Sequence, residues 1–257
     1  MSFLFSEIIF GPVKSRRLGV SLGVNLLPTN AKICTFDCIY CECGYNTTVK
    51  DGKLPTRADV KEALETKLQQ MQDAGEAPDV ITFAGNGEPT MHPEFPQVVD
   101  DTIALRNVFF PNAKISVLSN STFVRKDVVF EALKKVENNI MKLDSGLDAT
   151  VAQIDRPTQS TYTIAGIIKE LQKFEGNLII QTMFLRGTHN GKKVDNTTKE
   201  EVDALIAALK QINPRQIMIY SLDRDTPENT LEKVSVEELN LIAAELRSAG
   251  FEVSVAG

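Results

Sequence analysis

Four cysteines fall within ten positions, in the run Cys34-Thr35-Phe36-Asp37-Cys38-Ile39-Tyr40-Cys41-Glu42-Cys43, and the chain has no others. Clustered so closely they do not staple a chain of 257 residues, and a reducing compartment favours thiolates over disulfides. Several thiolates from one loop can instead converge on a single inorganic centre, and iron–sulfur clusters take such ligands. A 4Fe–4S cube held by Cys34, Cys38 and Cys41 alone keeps one iron open to an outside donor, which suits catalysis better than electron storage. Two other uses compete: a zinc site, although structural zinc normally takes two separated pairs, and a buried or redox-active cysteine group. A ferredoxin has different spacing, with a fourth cysteine before proline. Cys43, cramped beside Cys41, stays open between a fourth ligand, a free thiol and a catalytic hydrogen donor.

These residues must be held by the elements around them. Short β-branched runs alternate with longer segments of helical period, the rhythm of βα units. A first strand is expected over 21–27, with the cysteine loop, 28–44, directly after it. A helix over 57–74 places Val60, Leu64, Leu68 and Met71 on one face, and Gly75 with Pro78 ends it. Strands follow at 80–84, 114–118, 139–143, 177–184, 216–222 and 251–255, separated by helices near 93–107, 123–136, 158–174, 198–211 and 236–249. About six such units fall short of the eight that close a standard barrel, so the expected fold is α/β, a partial (β/α)6 TIM-like barrel. A doubly wound sheet is the alternative. One domain over 1–257 fits the length.

In either fold, ligands bind beyond the carboxyl ends of the strands. The second strand runs into Ala84-Gly85-Asn86-Gly87-Glu88-Pro89-Thr90, where glycines allow close approach of backbone to a ligand. The third ends at Ser119-Asn120-Ser121 and the fourth at Lys142-Leu143-Asp144-Ser145. Period-two alternation puts Lys142 and Asp144 on one side of their strand, and pairs Gln181 with Met183 on the next. Lys142 fits either a catalytic role or an ion pair inside the barrel. Arg16, Arg17, Arg156, Arg186 and Arg224 are candidates for an anionic substrate, because guanidinium matches carboxylate and phosphate geometry. His92 and His189 are isolated and expected in loop or packing roles.

The pattern C-x3-C-x-aromatic-C after the first strand of a βα array resembles the radical SAM superfamily. The resemblance implies a 4Fe–4S cluster on Cys34, Cys38 and Cys41, whose open iron chelates the amine and carboxylate of S-adenosyl-L-methionine. It puts Tyr40 near the adenine. It makes Asn86, Gly87, Glu88 and Pro89 the counterpart of the family's G-G-E-P motif, receiving the methionyl ammonium, with Asn86 standing where the family has glycine. It likewise implies cofactor contacts from Ser119, Asn120, Asp144 and Gln181. Gly11-Pro12-Val13-Lys14-Ser15-Arg16-Arg17-Leu18-Gly19, Ile154-Asp155-Arg156-Pro157 and Met183-Phe184-Leu185-Arg186-Gly187 resemble the iron–sulfur oxidoreductases related to wyosine-base synthases. No cysteine precedes Cys34, so one cluster is expected rather than two. The implied reaction is reductive cleavage of S-adenosylmethionine to a 5′-deoxyadenosyl radical that abstracts substrate hydrogen, with an external one-electron donor such as flavodoxin or ferredoxin.

Composition narrows the setting. With 42% hydrophobic and 24% charged residues the chain can bury a sizeable core. A net charge of −6 gives no broad cationic surface for a phosphate backbone, although a local basic cleft is compatible with it. The apolar start at Ser2-Phe3-Leu4-Phe5 is interrupted by Glu7 and does not read as a signal peptide, and no run is long enough to span a bilayer, so a cytoplasmic location is expected. Three functions remain in play. Modification of a small molecule or RNA base is favoured slightly, ahead of a radical activase or modifier of a partner protein. The third is a non-catalytic zinc or iron–sulfur module.

Overall fold

A computed structural model describes residues 3–46 and 52–257. In chain order the elements are β1 (Ile9–Ser15), β2 (Gly19–Val24), α1 (Arg57–Asp73), β3 (Val80–Phe83), α2 (Phe95–Phe109), β4 (Lys114–Ser119), α3 (Asp127–Lys134), β5 (Asn138–Lys142), α4 (Asp148–Ile154), α5 (Ile164–Gln172), β6 (Ile179–His189), β7 (Lys192–Asp195), α6 (Lys199–Ile212), β8 (Gln216–Ser221), β9 (Leu231–Lys233), α7 (Val236–Ser248) and β10 (Val253–Ala256). The sheet runs β1-β2-β3-β4-β5-β6-β8-β10, parallel throughout except for the antiparallel β1–β2 hairpin. Its two ends, β1 and β10, do not pair with each other among the described residues. The sheet therefore curls without closing, and six helix-bearing crossovers make the expected partial barrel.

The local causes are visible in the sequence. Thr56 caps α1, accepting from the Asp59 amide while Asp59 reaches back in a capping box, and Val60, Leu64, Leu68 and Met71 are buried on one face. On the outer face of the sheet Leu22, Val24, Ile81, Phe83, Ile115, Val117, Ile180, Ile217 and Ile219 pack beneath the helices in one continuous core. Each such side chain contributes about 1.5–3 kcal/mol when fully buried. The inner face differs. Ile140, Ile179 and Met218 gather with Leu18 and Leu118 into a small apolar plug. Two residues further along β5 and β8, Lys142 and Tyr220 point the same way.

Several elements depart from the expected boundaries. β1 carries Gly11 and Pro12, residues poorly suited to strands, and its register shifts between Phe10 and Val13 to accommodate them. β6 continues five residues past Phe184 to pair with β7 and β9, which alternation of the core strands does not announce. α4 has only seven residues, too few to display a helical period. α5 begins at Ile164 rather than near 158, because the Thr163 side chain accepts from the Gly166 amide and caps it there. Among the described residues no helix is long and apolar enough to cross a membrane.

The start of β4 is fixed by one partly buried pair. Arg106 Nη1 lies 3.0 Å from Glu137 Oε1 and donates to the Ala113 carbonyl at 2.5 Å, while the Ile115 amide donates to Glu137 Oε2 at 2.8 Å. Burial tends to raise the Glu137 pKa, but the Ile115 amide and Arg106 outweigh it and hold it below the usual value. A depressed carboxyl stabilises the fold above the unfolded-state pKa and loses that contribution as pH falls through the folded one. Glu137→Gln should therefore cost about 1 kcal/mol at neutral pH, discounted because the side chain is 39% exposed. Urea titrations at falling pH should show the gap between wild type and variant closing in the acid range.

Candidate active site

The cysteine loop has no regular structure of its own, and neighbouring loops pair its backbone on both sides. On one side the Ile33 amide donates to Asn86 O at 2.9 Å and the Glu88 amide to Ile33 O at 3.1 Å, so Ile33 and Gly87 form a parallel bridge. A β-carbon at Gly87 would collide with Ile33 O, and its φ of +135° also demands glycine. On the other side Asp37 N donates to Asp155 O at 3.0 Å and Ile39 N to Ile154 O at 2.9 Å, with Phe36 bridging Pro157. Asn25, buried just after β2, holds the entry to the loop by accepting from the Leu27 and Asn86 amides.

All four sulfurs are free thiols at the carboxyl end of the barrel. Cys34 accepts from the Phe36 amide at 3.4 Å and from Asn120 Nδ2 at 3.5 Å. Burial, helped by Glu88, pushes its thiol up to about 12. Cys38 lies 3.5 Å from Asp155 Oδ1, and burial drives it well above the ordinary thiol value. Cys41 goes the other way: a hydrogen bond from Cys43 and the nearby Lys32 charge overcome burial and lower it to about 6. Cys43 itself donates to Gly85 O at 3.4 Å and is pushed up, chiefly by its bond to Cys41. Among the described residues no three His, Cys, Asp or Glu side chains are placed to hold a single metal ion.

Lys32 was invisible as a functional residue in the sequence. Its side chain is 2% exposed, donates to Gly44 O at 2.8 Å and lies 3.7 Å from Asp37. Burial alone would lower its pKa, but Cys41, Cys38, Cys34 and Asp37 together raise it. A buried cation among three potential thiolates suits a donor set that carries negative charge, as iron–sulfur ligands do.

A second group lies on the other flank of the loop. Lys142 pairs with Asp144 and, at 3.1 Å, with Asp155, and stands 4.5 Å over the Tyr40 ring, whose hydroxyl donates to Asp144. The Met183 amide adds a bond to Asp144 at 2.8 Å. Burial and the neighbouring Asp144 carboxylate raise Asp155 to about 8 against the pull of Lys142. The expected shared face of Lys142 and Asp144 is thus present, and the lysine is committed to two carboxylates.

The remaining candidates sort by partner. Glu88 is buried and accepts from Thr90, from Ser119 Oγ at 2.8 Å and from the Asn120 amide at 2.7 Å, tying the β3 turn to the end of β4. Pro89 opens a short 3-10 turn that Glu88 caps. Asn86 commits its amide to the backbone of Phe5 and Pro28. Asn120 bonds Thr35 and Thr122 as well as Cys34. Among the described residues Gln181 Nε2 and Ser121 Oγ are buried with no hydrogen-bond partner, groups a polar ligand would satisfy. Of the histidines, His92 packs against Pro55 O at 2.8 Å and His189 lies 3.1 Å from Glu228. Arg156, Arg186 and Arg224 pair with Asp37, Glu238 and Glu42.

Comparison with known proteins bears on the family and the fold. The profile described as the Radical SAM superfamily matches residues 31–189. A UPF0026 protein of Helicobacter pylori is 29% identical over 238 residues, 90% of this chain and 71% of that protein. A radical SAM methyltransferase from Sphaerobacter thermophilus superposes with a TM-score of 0.68 at 16% identity, covering 91% of this chain and 65% of that one, just under two thirds of its length. The structure of TYW1 with a lysine-pyruvate adduct bound gives 0.63 at 16% identity, over 89% and 73%. At such identities the two structures share the fold alone with this chain.

Removing Lys142 should leave two carboxylates buried with no counter-charge. Lys142→Met should lose about 3–5 kcal/mol of unfolding free energy in denaturant titrations. Adding Asp155→Asn should recover part of the loss; strict additivity of the two changes would show that the groups are not coupled.

Proposed function

The chain belongs to the radical SAM superfamily and is an enzyme of that class, and on that premise we propose that Cys34, Cys38 and Cys41 ligate a 4Fe–4S cluster whose open iron chelates S-adenosyl-L-methionine. The observation that carries the reading is one loop bearing three thiols at the carboxyl ends of the parallel strands, with buried Lys32 beside them. That group supplies, when bound and reduced through an external donor such as flavodoxin or ferredoxin, the electron that cleaves S-adenosylmethionine to methionine and a 5′-deoxyadenosyl radical for hydrogen abstraction. The protein's own tasks are to bind, orient and exclude water.

Within this reading Tyr40 flanks the adenine, held by its bond to Asp144. Gln181 and Ser121 offer their unpartnered polar atoms to the nucleotide or the methionyl group. Glu88 and Asn120 act mainly by fixing the turns that carry Ser119, Gly87 and Pro89, since their side chains are engaged within the protein. Asn86 contributes by seating the cysteine loop, because its carbonyl receives the Ile33 amide. Cys43 and Lys142 are the candidates for a catalytic role, with Asp155, 3.5 Å from Cys38, as a further group near the chemistry that can hold a proton. One domain spanning 1–257, working in the cytoplasm on a small molecule, is the simplest setting. The acidic net charge disfavours RNA.

Anaerobic reconstitution should give about four irons per chain and dithionite-dependent 5′-deoxyadenosine. Cys38→Ala should abolish both; retention of the nucleoside product would refute the assignment. Cys43→Ser should keep the full iron content, and a drop of about one iron or loss of the cluster would make Cys43 a ligand.

A further inference from the structure

The turn joining β1 to β2 runs from one edge of the open sheet across to β8. Arg16 pairs with Asp223 at 3.5 Å, just beyond β8, and Leu18 enters the inner plug with Ile140, Ile179 and Met218. Between them Arg17 lays its guanidinium 4.2 Å from the centroid of the Tyr220 ring on β8. Behind the turn lies a cavity of about 250 Å³, bounded on the barrel side by the small residues Ser21, Gly23, Thr82 and Ala84.

Charge around this cavity runs against that of the whole chain. Among the described residues Lys14, Arg16, Arg17 and Arg224 line it together with only Glu42 and Asp223, in a protein of net charge −6. Arg16 and Arg224 each have one of those carboxylates, at 3.5 Å and 2.9 Å. Arg17 has the Tyr220 side chain instead, and its Nη1 is buried without a hydrogen-bond partner among the described residues. A buried donor left unsatisfied costs about 1–3 kcal/mol. Contact with Tyr220 holds the guanidinium in place and leaves the Nη1 donor for a ligand, and a guanidinium matches a carboxylate in charge and geometry. Tyr220, in contact with Arg17, also lies within the field of Lys142 and Asp144, so its ring stands between the cavity and that group.

We propose that Arg17 anchors a carboxylate of the substrate, and hence that the substrate is a small carboxylic acid entering beside the β1–β2 turn. The proposal rests on the barrel interior being the substrate site. It is separable from the cluster assignment, because binding is read with no electron supplied and the cysteine variants test the cluster on their own.

Benzoate serves as the carboxylate probe, benzamide as its neutral isostere and inorganic phosphate as the competing anion, each titrated into the anaerobically reconstituted full chain labelled with 15N-arginine. Benzoate should shift the Arg17 Nε–H resonance saturably, and benzamide and phosphate should not. Benzoate affinity should fall about tenfold or more in Arg17→Gln, with partial recovery in Arg17→Lys, which keeps the charge but not the fork. Equal binding of benzamide, preference for phosphate, absence of benzoate binding, or unchanged benzoate affinity in Arg17→Gln would each overturn the proposal. The comparison of the three probes on wild-type protein stands even where a variant fails to fold.

Discussion

The structure around the site depends on one constraint: a loop with no regular secondary structure must bury its backbone at the mouth of the barrel. Buried amides and carbonyls need partners, and this loop finds them on strangers in sequence. Ile33 is bonded by residues of the turn after β3, and Asp37 and Ile39 by the segment before Pro157. Gly87 follows from this pairing, since the loop carbonyl of Ile33 occupies the space a side chain would need. So does the position of Asp155, whose carbonyl pairs with the loop while its carboxylate faces Cys38 and Lys142. The glycine-rich turn and the Ile154–Pro157 segment are therefore parts of one device for presenting cysteines.

Two buried lysines flank that device, and they differ in what they neutralise. Lys142 already has two carboxylates, so its charge is balanced within the protein. Lys32 has one carboxylate at 3.7 Å and one carbonyl, and its charged form is favoured further by whichever of the three nearby sulfurs is anionic. A desolvated ammonium is costly without counter-charge. The lysine thus makes best sense when the sulfurs are anionic, which is the state in which they bind iron.

Much of this was legible in the sequence, and the exceptions have physical reasons. The alternation of strands and helices, the face of α1 and the cysteine spacing are periodic or local, so they survive without coordinates. β7 and β9 were not seen, because an extension hairpin on β6 has no core-facing alternation to reveal it. Lys32 carries no signal in the sequence, because a lysine beside apolar residues reads as an ordinary charge until the fold closes over it. Asp155 stands in a recognisable motif, yet its pairing with Lys142 joins positions that only the fold brings together. Glu88 shows the opposite limit: it stood out by motif, while the structure gives its oxygens to Thr90, Ser119 and Asn120.

An open barrel leaves a further problem, since its inner face must be closed somewhere. Here closure is made by a turn rather than by strands: Leu18 completes the apolar plug, Arg17 contacts Tyr220, and Arg16 and Arg224 bridge to Asp223 and Glu42. Ion pairs and a cation over a ring exchange more readily with solvent and ligands than a ladder of backbone hydrogen bonds does. The side of the barrel that lacks strands is consequently the side held by its weakest contacts. It is also where small residues on β2 and β3 leave room inside. Closure and admission of a substrate are then tasks of the same few side chains, which explains why arginines concentrate at this edge of an otherwise acidic chain.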